Sequence, residues 1–145
     1  IIPKYIIRKK YVNKMLRDNL LKEMYHLEEK NPGKKIFSIH DITSERAMKS
    51  SDYKLGFRML TRKHLVNKVV TGYGLTNEGQ IEGKRITRIH RLWEMYLTQQ
   101  LQIQGDHVHE DAEGIEHIIT PEIERKLIEL LDKPEKDPHE KIIPY

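Results

Sequence analysis

The sequence predicts a mainly α-helical protein with one small β-hairpin: a winged helix-turn-helix over residues 1–79, followed by a second helical module over 80–145. Three observations predict it. Apolar residues recur at helical spacing through most of the chain. One short segment alternates apolar and polar residues and runs into Gly72-Tyr73-Gly74, which reads as a hairpin. The order helix, helix, helix, hairpin is that of a winged helix. With 145 residues and 17.3 kDa, the chain has room for one ordinary domain or two small modules sharing a core. A mean hydropathy of −0.70 and 33% charged residues describe a surface-rich protein that still has enough Leu, Ile and Val to fold.

The elements follow in order. Residues 14–29 place Met15, Leu16, Leu20, Met24 and Leu27 near helical spacing, and Asn31-Pro32-Gly33 ends that helix. Residues 39–48 read as a short helix with Ile42 and Met48 turned inward. Ser50-Ser51-Asp52 offers N-cap chemistry for a third helix over 52–63, which buries Tyr53, Leu55, Met59 and Leu60. Gly56 inside it costs about 1 kcal/mol relative to alanine, so a short or irregular helix is expected there. Leu65-Val66 and Val69-Val70, around Asn67-Lys68, open the hairpin. Thr76 caps a long helix over 77–103 whose stripe is Ile86, Ile89, Leu92, Trp93, Tyr96 and Leu97, and Gly105-Asp106 breaks it. A helix over 110–119 stops before Thr120-Pro121, which cap and open the last, 121–132, with Ile123, Leu127, Ile128, Leu130 and Leu131. The tail has three prolines and no period, and reads as extended or loose.

Several classes are excluded at once. Zero cysteines removes disulfide frameworks, Cys-ligated zinc, iron–sulfur clusters and thiol catalysis. No apolar run approaches the ~20 residues of a membrane-spanning helix. The start, IIPKYIIRKK, lacks the apolar core of a signal peptide. It does not begin with Met, so a fragment or processed product is expected. Nothing marks a substrate cleft, and a metallohydrolase is a poor fit because it needs an open coordination position beside a base. No enzymatic activity is expected.

Charge is divided along the chain. Residues 1–100 hold 21 Lys/Arg against 10 Asp/Glu, and residues 101–145 hold 5 against 12. A basic part suits phosphate, and an acidic part suits cations or a partner. In the winged module, the exposed face of the third helix would enter a major groove, with the hairpin near the backbone. Ser50, Ser51, Lys54, Arg58, Arg62, Lys63 and, in the wing, Lys68 are the candidate DNA contacts. Basic residues on an exposed helix face are equally the composition of a solvated surface.

The second module concentrates metal-ligand types. His90 and Glu94 are i, i+4; so are His109 and Glu113; Glu113, Glu116 and His117 are i, i+3, i+4. One such pair is more often a surface ion pair. Three overlapping pairs within 28 residues, from His90 to His117, form a stronger pattern, because clustered carboxylates repel unless a cation or protons offset them. Imidazole and carboxylate without sulfur suit Mn²⁺, Fe²⁺ or Zn²⁺. His26, His40, His64, His107 and His139 read as ordinary, the last in the loose tail.

Three runs carry a resemblance: His90-Arg91-Leu92-Trp93-Glu94, then Val108 through His117, then Asp137-Pro138-His139 with Ile143-Pro144. The chain resembles the metal-dependent repressors of the diphtheria toxin repressor and manganese transport regulator family over nearly its whole length. The resemblance implies a winged helix followed by a helical metal-binding and dimerisation domain, two metal sites, a homodimer and metal-activated binding to double-stranded operator DNA. Carried over by position, one site is His90, Glu94 and His109. The other is Glu113, Glu116 and His117, completed from the first helix by Asn19. Glu113, where iron-type members have a softer Cys, implies Fe²⁺ or Mn²⁺, with Zn²⁺ as an in vitro substitute. The implied mechanism is a population shift that leaves two recognition helices about one DNA turn, ~34 Å, apart.

This sequence departs from the family in three places. Asn19 is a weaker donor than the Asp or Met of relatives, and adjacent Asp18 points about 100° away. A second acidic position falls on Lys22. The chain given stops at Tyr145, so the barrel-like third domain of iron-type relatives is expected to be absent. The basic cluster Lys4, Arg8, Lys9, Lys10 and Lys14 resembles the cytoplasmic side of a membrane span in metal-uptake permeases that carry a repressor-like domain. A tether to such a permease is one expectation, and a DNA-touching arm predicts the same residues. The competing function is a metal-sensing domain of the transporter that does not bind DNA.

Overall fold

A computed structural model describes residues 3–100 and 108–145. Its elements are α1 (Lys4–Lys30), α2 (Ile39–Ser44), α3 (Ser50–Arg62), β1 (Val66–Val69), β2 (Gly72–Leu75), α4 (Asn77–Gln99), α5 (Val108–Ile115), a 3-10 turn (Glu116–Ile118) and α6 (Pro121–Leu130). The protein is mainly helical with one antiparallel hairpin, as the apolar periods predict. It divides into two compact units, residues 1–84 and 85–145.

In the first unit α1 is ten residues longer at its start than its apolar stripe predicts. It buries Leu20, Leu21, Met24 and Leu27 and, less expectedly, Asp18, Asn19, Lys22 and Glu23. The second helix is shorter than predicted. Its start is a capping box, in which Ser38 Oγ accepts from the Asp41 N–H and Asp41 Oδ2 accepts from the Ser38 N–H, each at 3.1 Å. It stops at Ser44, so Met48 lies in the connection, partly buried.

Helix α3 is regular through Gly56, contrary to the expected irregularity, and Lys49 is its N-cap. A Cβ at Gly56 would lie 2.4 Å from Leu20 Cδ1. The glycine is the contact that lets α1 and α3 approach. Phe57 then stacks on Tyr73 of β2, ring centroids 4.0 Å apart. Tyr73 also exchanges two 2.9 Å backbone hydrogen bonds with Phe37, fixing the hairpin to the chain before α2. The hairpin register is Val66↔Leu75 to Val69↔Gly72. Close approach recurs at Gly72, with φ +150°, where a Cβ would strike the Phe37 carbonyl at 2.0 Å.

Helix α4 begins as predicted, with Thr76 Oγ1 accepting the Gly79 N–H at 3.0 Å. Its predicted run to 103 and the Gly105-Asp106 break fall partly outside the described residues. In the second unit Leu92 packs with Leu127, Leu131 and Ile143, flanked by Trp93, Met95, Tyr96 and Ile128. Leu97 meets Ala112. Thr120 caps α6, accepting the Ile123 N–H at 3.3 Å, but Ile123 and Leu130 stay exposed.

The tail is not loose. Asp137, 3% exposed, accepts the backbone N–H groups of His139 at 2.8 Å and Lys141 at 2.9 Å. Lys136 bridges Ile142, and Ile143 enters the core. Arg91 donates to the Ile142 carbonyl at 2.5 Å and Arg88 to that of Pro144 at 3.2 Å. Arg88 also pairs with Glu124 of α6. These backbone and arginine bonds have no hydrophobic period, which is why the segment reads as irregular in sequence.

Candidate metal centre

The second unit brings its ligand-type side chains to one place. Helix α4 presents His90 and Glu94 one turn apart, on its buried side. Helix α5 presents His109 and Glu113 at the same spacing, and the 3-10 turn adds Glu116 and His117. His90, Glu94, Glu116 and His117 are all buried, between 2% and 4% exposed. His109 and Glu113 are more open. One nitrogen or oxygen each from His90, His109 and Glu113 lie within 4.8 Å of one another.

The contacts form one continuous network. His90 Nδ1 lies 2.5 Å from Glu116 Oε2. His90 Nε2 lies 3.1 Å from Glu94 Oε1 and 3.0 Å from His109 Nδ1. His109 Nε2 lies 3.0 Å from Glu113 Oε1, and His117 Nε2 is 3.3 Å from Glu116 Oε1. These contacts cross between the two ligand sets that the resemblance implies, joining His90 to Glu116 and His109 to Glu113.

The His90 ring is held at both nitrogens, Nδ1 by Glu116 and Nε2 by Glu94 and His109. Two imidazoles and a buried carboxylate thus face one another, an arrangement that needs a proton or a cation between them. A carboxylate holding the far ring nitrogen is also the support that metal-bound imidazoles receive. The electrostatics agree. Burial alone would raise the Glu94 carboxyl, but hydrogen bonds and charge from His109 and His90 hold it well below the usual range. Hydrogen bonds that the His109 ring donates to the Glu113 and Glu94 carboxylates push its pKa up to about 9. The donor set is hard, oxygen- and nitrogen-only, and fits Mn²⁺, Fe²⁺ or Zn²⁺.

His139 is the residue that sequence reasoning missed. Its Nε2 lies 3.1 Å from Glu94 Oε2, placed there by the turn that Asp137 caps. His139 is 45 positions from Glu94, so no helical spacing connects them. The available signal was the Asp-Pro-His sequence, in which an acid two residues before a histidine can fix the turn that aims it. His107 lies outside the described residues.

Asn19 sits in α1 of the first unit, 8% exposed, and its Oδ1 has no hydrogen-bond partner among the described residues. An orphaned buried oxygen is the state a cation or an unseen donor would relieve. Neighbouring Asp18 instead pairs with Lys14 at 2.6 Å. The candidate DNA contacts Ser50, Ser51, Lys54, Arg58, Arg62, Lys63 and Lys68 are all exposed. Ser50, Lys54, Arg58 and Arg62 follow one another at four-residue steps along a single stripe of α3.

Residues 76–145 match the family described as iron dependent repressor, metal binding and dimerisation domain. A probable metal transport system membrane protein from Chlamydia trachomatis serovar D is 31% identical over 99% of this chain and 32% of its own length. The diphtheria toxin repressor of Corynebacterium glutamicum is 36% identical over 48% of this chain and 31% of its own. The structure of the manganese regulator SloR superposes with a TM-score of 0.78 and 30% identity, over 89% of this chain and 59% of that one. The chain thus spans about a third of the length of the curated relatives it matches.

Proposed function

We propose that the chain is a member of the diphtheria toxin repressor and manganese regulator family, and that it is a metal-dependent DNA-binding transcriptional repressor of metal-uptake genes. The division of labour assigns residues 1–79 to operator DNA and 80–145 to metal binding and homodimer formation. The observation that carries the reading is the convergence of the buried His90 Nε2 and Glu94 with the more open His109 Nδ1, and Glu116 on the far side of the His90 ring.

His90, Glu94, His109, Glu113, Glu116 and His117 are the proposed ligands, with His139 as an addition at Glu94. Asn19 keeps its place among them on the strength of its orphaned oxygen. The cation is Fe²⁺ or Mn²⁺, in keeping with the hard donor set and with the iron-dependent and manganese-regulating proteins it resembles. Bound there, it supplies positive charge that stabilises the facing carboxylates and lone pairs. His90 and Glu94 then hold α4 against α5, and His139 holds the tail to the same point. DNA affinity rises only if the state in which these ligands converge is the DNA-competent one. Exposed Ile118, Ile123 and Leu130 provide apolar surface of the kind a second copy covers.

On α3, Lys54, Arg58 and Arg62 would meet phosphates or base edges, and Lys68 of the wing the backbone. The test is a fluorescence titration of the full chain against the DNA upstream of its own transport operon, in chelator and then with Mn²⁺, Fe²⁺ and Zn²⁺. Tighter, salt-dependent binding with metal is expected. Equal affinity in chelator overturns the proposal. A second reading rests on the relative described as a metal transport membrane protein: the chain acts while tethered to such a protein.

A further inference from the structure

The tip of the hairpin carries a side chain that neither the fold nor a phosphate contact explains. The pairing of Val69 with Gly72 leaves Val70 and Thr71 as the turn. Val70 is fully exposed, at 106%, against 41% for Val69 and 2% for Val66 at the base of the hairpin. Turn chemistry gives no reason for it. Two-residue hairpin turns favour glycine, asparagine or aspartate, because the favoured types need positive φ. Neither Val70 nor Thr71 is among the residues with positive φ, and a β-branched side chain belongs in a strand, where neighbours pack on it. A lone exposed valine is ordinary on most surfaces. The setting of this one is not.

The tip is held firmly and surrounded by positive charge. Tyr73, just past the turn, exchanges backbone hydrogen bonds with Phe37 and stacks on Phe57. The hairpin is therefore anchored close to its end. Between Asp52 and Glu78 the chain has five cations, Lys54, Arg58, Arg62, Lys63 and Lys68, and no acid. All five are exposed. That unbroken run is complementary to phosphate and favours DNA over a protein as the occupant of the tip. With α3 in a major groove, the hairpin that follows it meets the phosphate ridge and, past the ridge, the minor groove. Four strand residues reach about 13 Å. The minor groove is about 6 Å wide, room for an isopropyl group between its sugar walls. Its floor distinguishes base pairs in one respect: G·C adds the guanine amino group, which A·T lacks. That amino group fills the space the valine methyls need and would lose its water without gaining a partner.

We propose that Val70 is a specificity-determining residue: it enters the minor groove beside the α3 contact and selects A·T pairs there. The inference rests on the repressor reading and adds to it a base preference that lies outside α3. It is tested by fluorescence titration of the full chain, with Mn²⁺, against the duplex upstream of its own transport operon. A second version of that duplex carries 2,6-diaminopurine for adenine, which adds the minor-groove amino group and leaves the major-groove edge as it was. The wild type should bind the substituted duplex about tenfold more weakly. Val70→Ser should bind the natural duplex about tenfold more weakly than the wild type and should distinguish the two duplexes little. Val70→Ile, which keeps the tip apolar, should behave like the wild type. Because the Val70 side chain is fully exposed, melting temperature and Mn²⁺ affinity should not change in either variant. The salt dependence of Val70→Ser should match the wild type, whereas Lys68→Ala should make it shallower. Wild-type binding that ignores diaminopurine, or operator affinity that Val70→Ser leaves unchanged, overturns the proposal and leaves the repressor reading standing. A shallower salt dependence in Val70→Ser also overturns it, because the loss is then one of phosphate contacts. Absence of metal-dependent binding to the natural duplex by the wild type overturns both.

Discussion

In the winged unit, the side chains that read as functional stand in water: Lys54, Arg58, Arg62 and Lys68 are exposed, and the core beneath them is Leu20, Phe57, Leu60 and Tyr73. In the second unit the functional side chains are themselves interior. His90, Glu94, Glu116 and His117 occupy buried positions close to Leu92 and Ala112 in sequence, and their polar atoms face one another. A solvated lysine costs the fold nothing while it waits for a partner. A buried carboxylate beside an imidazole lone pair is costly until a proton or a cation joins it. The side chains proposed to meet DNA therefore need no ligand to be stable where they stand, whereas those proposed to hold metal need a proton or a cation. Ligand removal should act on the two in different ways.

The sharpest way to break that contrast is to remove one member from each. His90→Ala should lower Mn²⁺ affinity by at least about 100-fold, since losing even the outer support of a ligand costs tenfold to a hundredfold. Arg58→Ala should leave metal affinity unchanged and weaken DNA binding, with a shallower dependence on salt. Competition against a fluorescent chelator and DNA titration measure the two. A loss of metal affinity in Arg58→Ala would mean that the units are not separable in this way.

The next largest effect tests the packing of the first unit. Alanine is the better helix former by about 1 kcal/mol. At Gly56 its Cβ would meet Leu20 Cδ1 at 2.4 Å, so the fully buried Leu20 side chain has to shift within the core. Gly56→Ala should destabilise the chain by about 1–3 kcal/mol, the usual cost of overpacking. Urea midpoints measure it, and a gain in stability would show that propensity outweighs the contact.

His139→Ala probes the second unit more gently. The ring is partly exposed and makes its described contact with Glu94, so folding should change little while Mn²⁺ affinity falls by about tenfold. Asp137→Ala should give the same loss together with a lower melting temperature, because Asp137 also holds the Lys141 backbone. Unchanged metal affinity in His139→Ala would leave the tail a purely structural element.

Much of this was legible in the residues. The stripe from Ile86 to Leu97 gave α4, Thr120-Pro121 gave the start of α6, and i, i+4 spacing put His90 with Glu94 and His109 with Glu113. What sequence spacing could not carry was anything set by non-local contact. Tyr5 to Tyr11 mixes cations with apolar residues and has no face, yet the helix runs through it, because extending an existing helix is far easier than starting one. Gly56 reads as a helix breaker until Leu20 is placed against it. The tail reads as loose because its order comes from Asp137, Arg88 and Arg91 bonding to backbone, not from a hydrophobic period. The pairing of His90 with Glu116 joins residues 26 apart on different elements.

The smallest effect concerns pH and belongs to the winged unit alone. Asp41 accepts the Ser38 backbone N–H and receives help from the Ser38 hydroxyl, which together hold its carboxyl below the ordinary value of 3.8. A carboxyl whose folded pKa is depressed contributes stability that is fully present above its unfolded value and lost as pH falls through the folded one. The contribution should therefore be constant from neutral pH down to about 5 and fade below about 4. Asp41→Asn keeps an acceptor at the same place without the charge. Urea midpoints of wild type and variant should differ at neutral pH, and the gap should close as pH drops toward 3. Metal affinity should differ between the two proteins at no pH, because Asp41 is not among the proposed ligands and its described side-chain contacts are with Ser38 and Lys34. A pH-dependent difference in metal binding between them would join the two halves of the molecule electrostatically and remove the contrast drawn above.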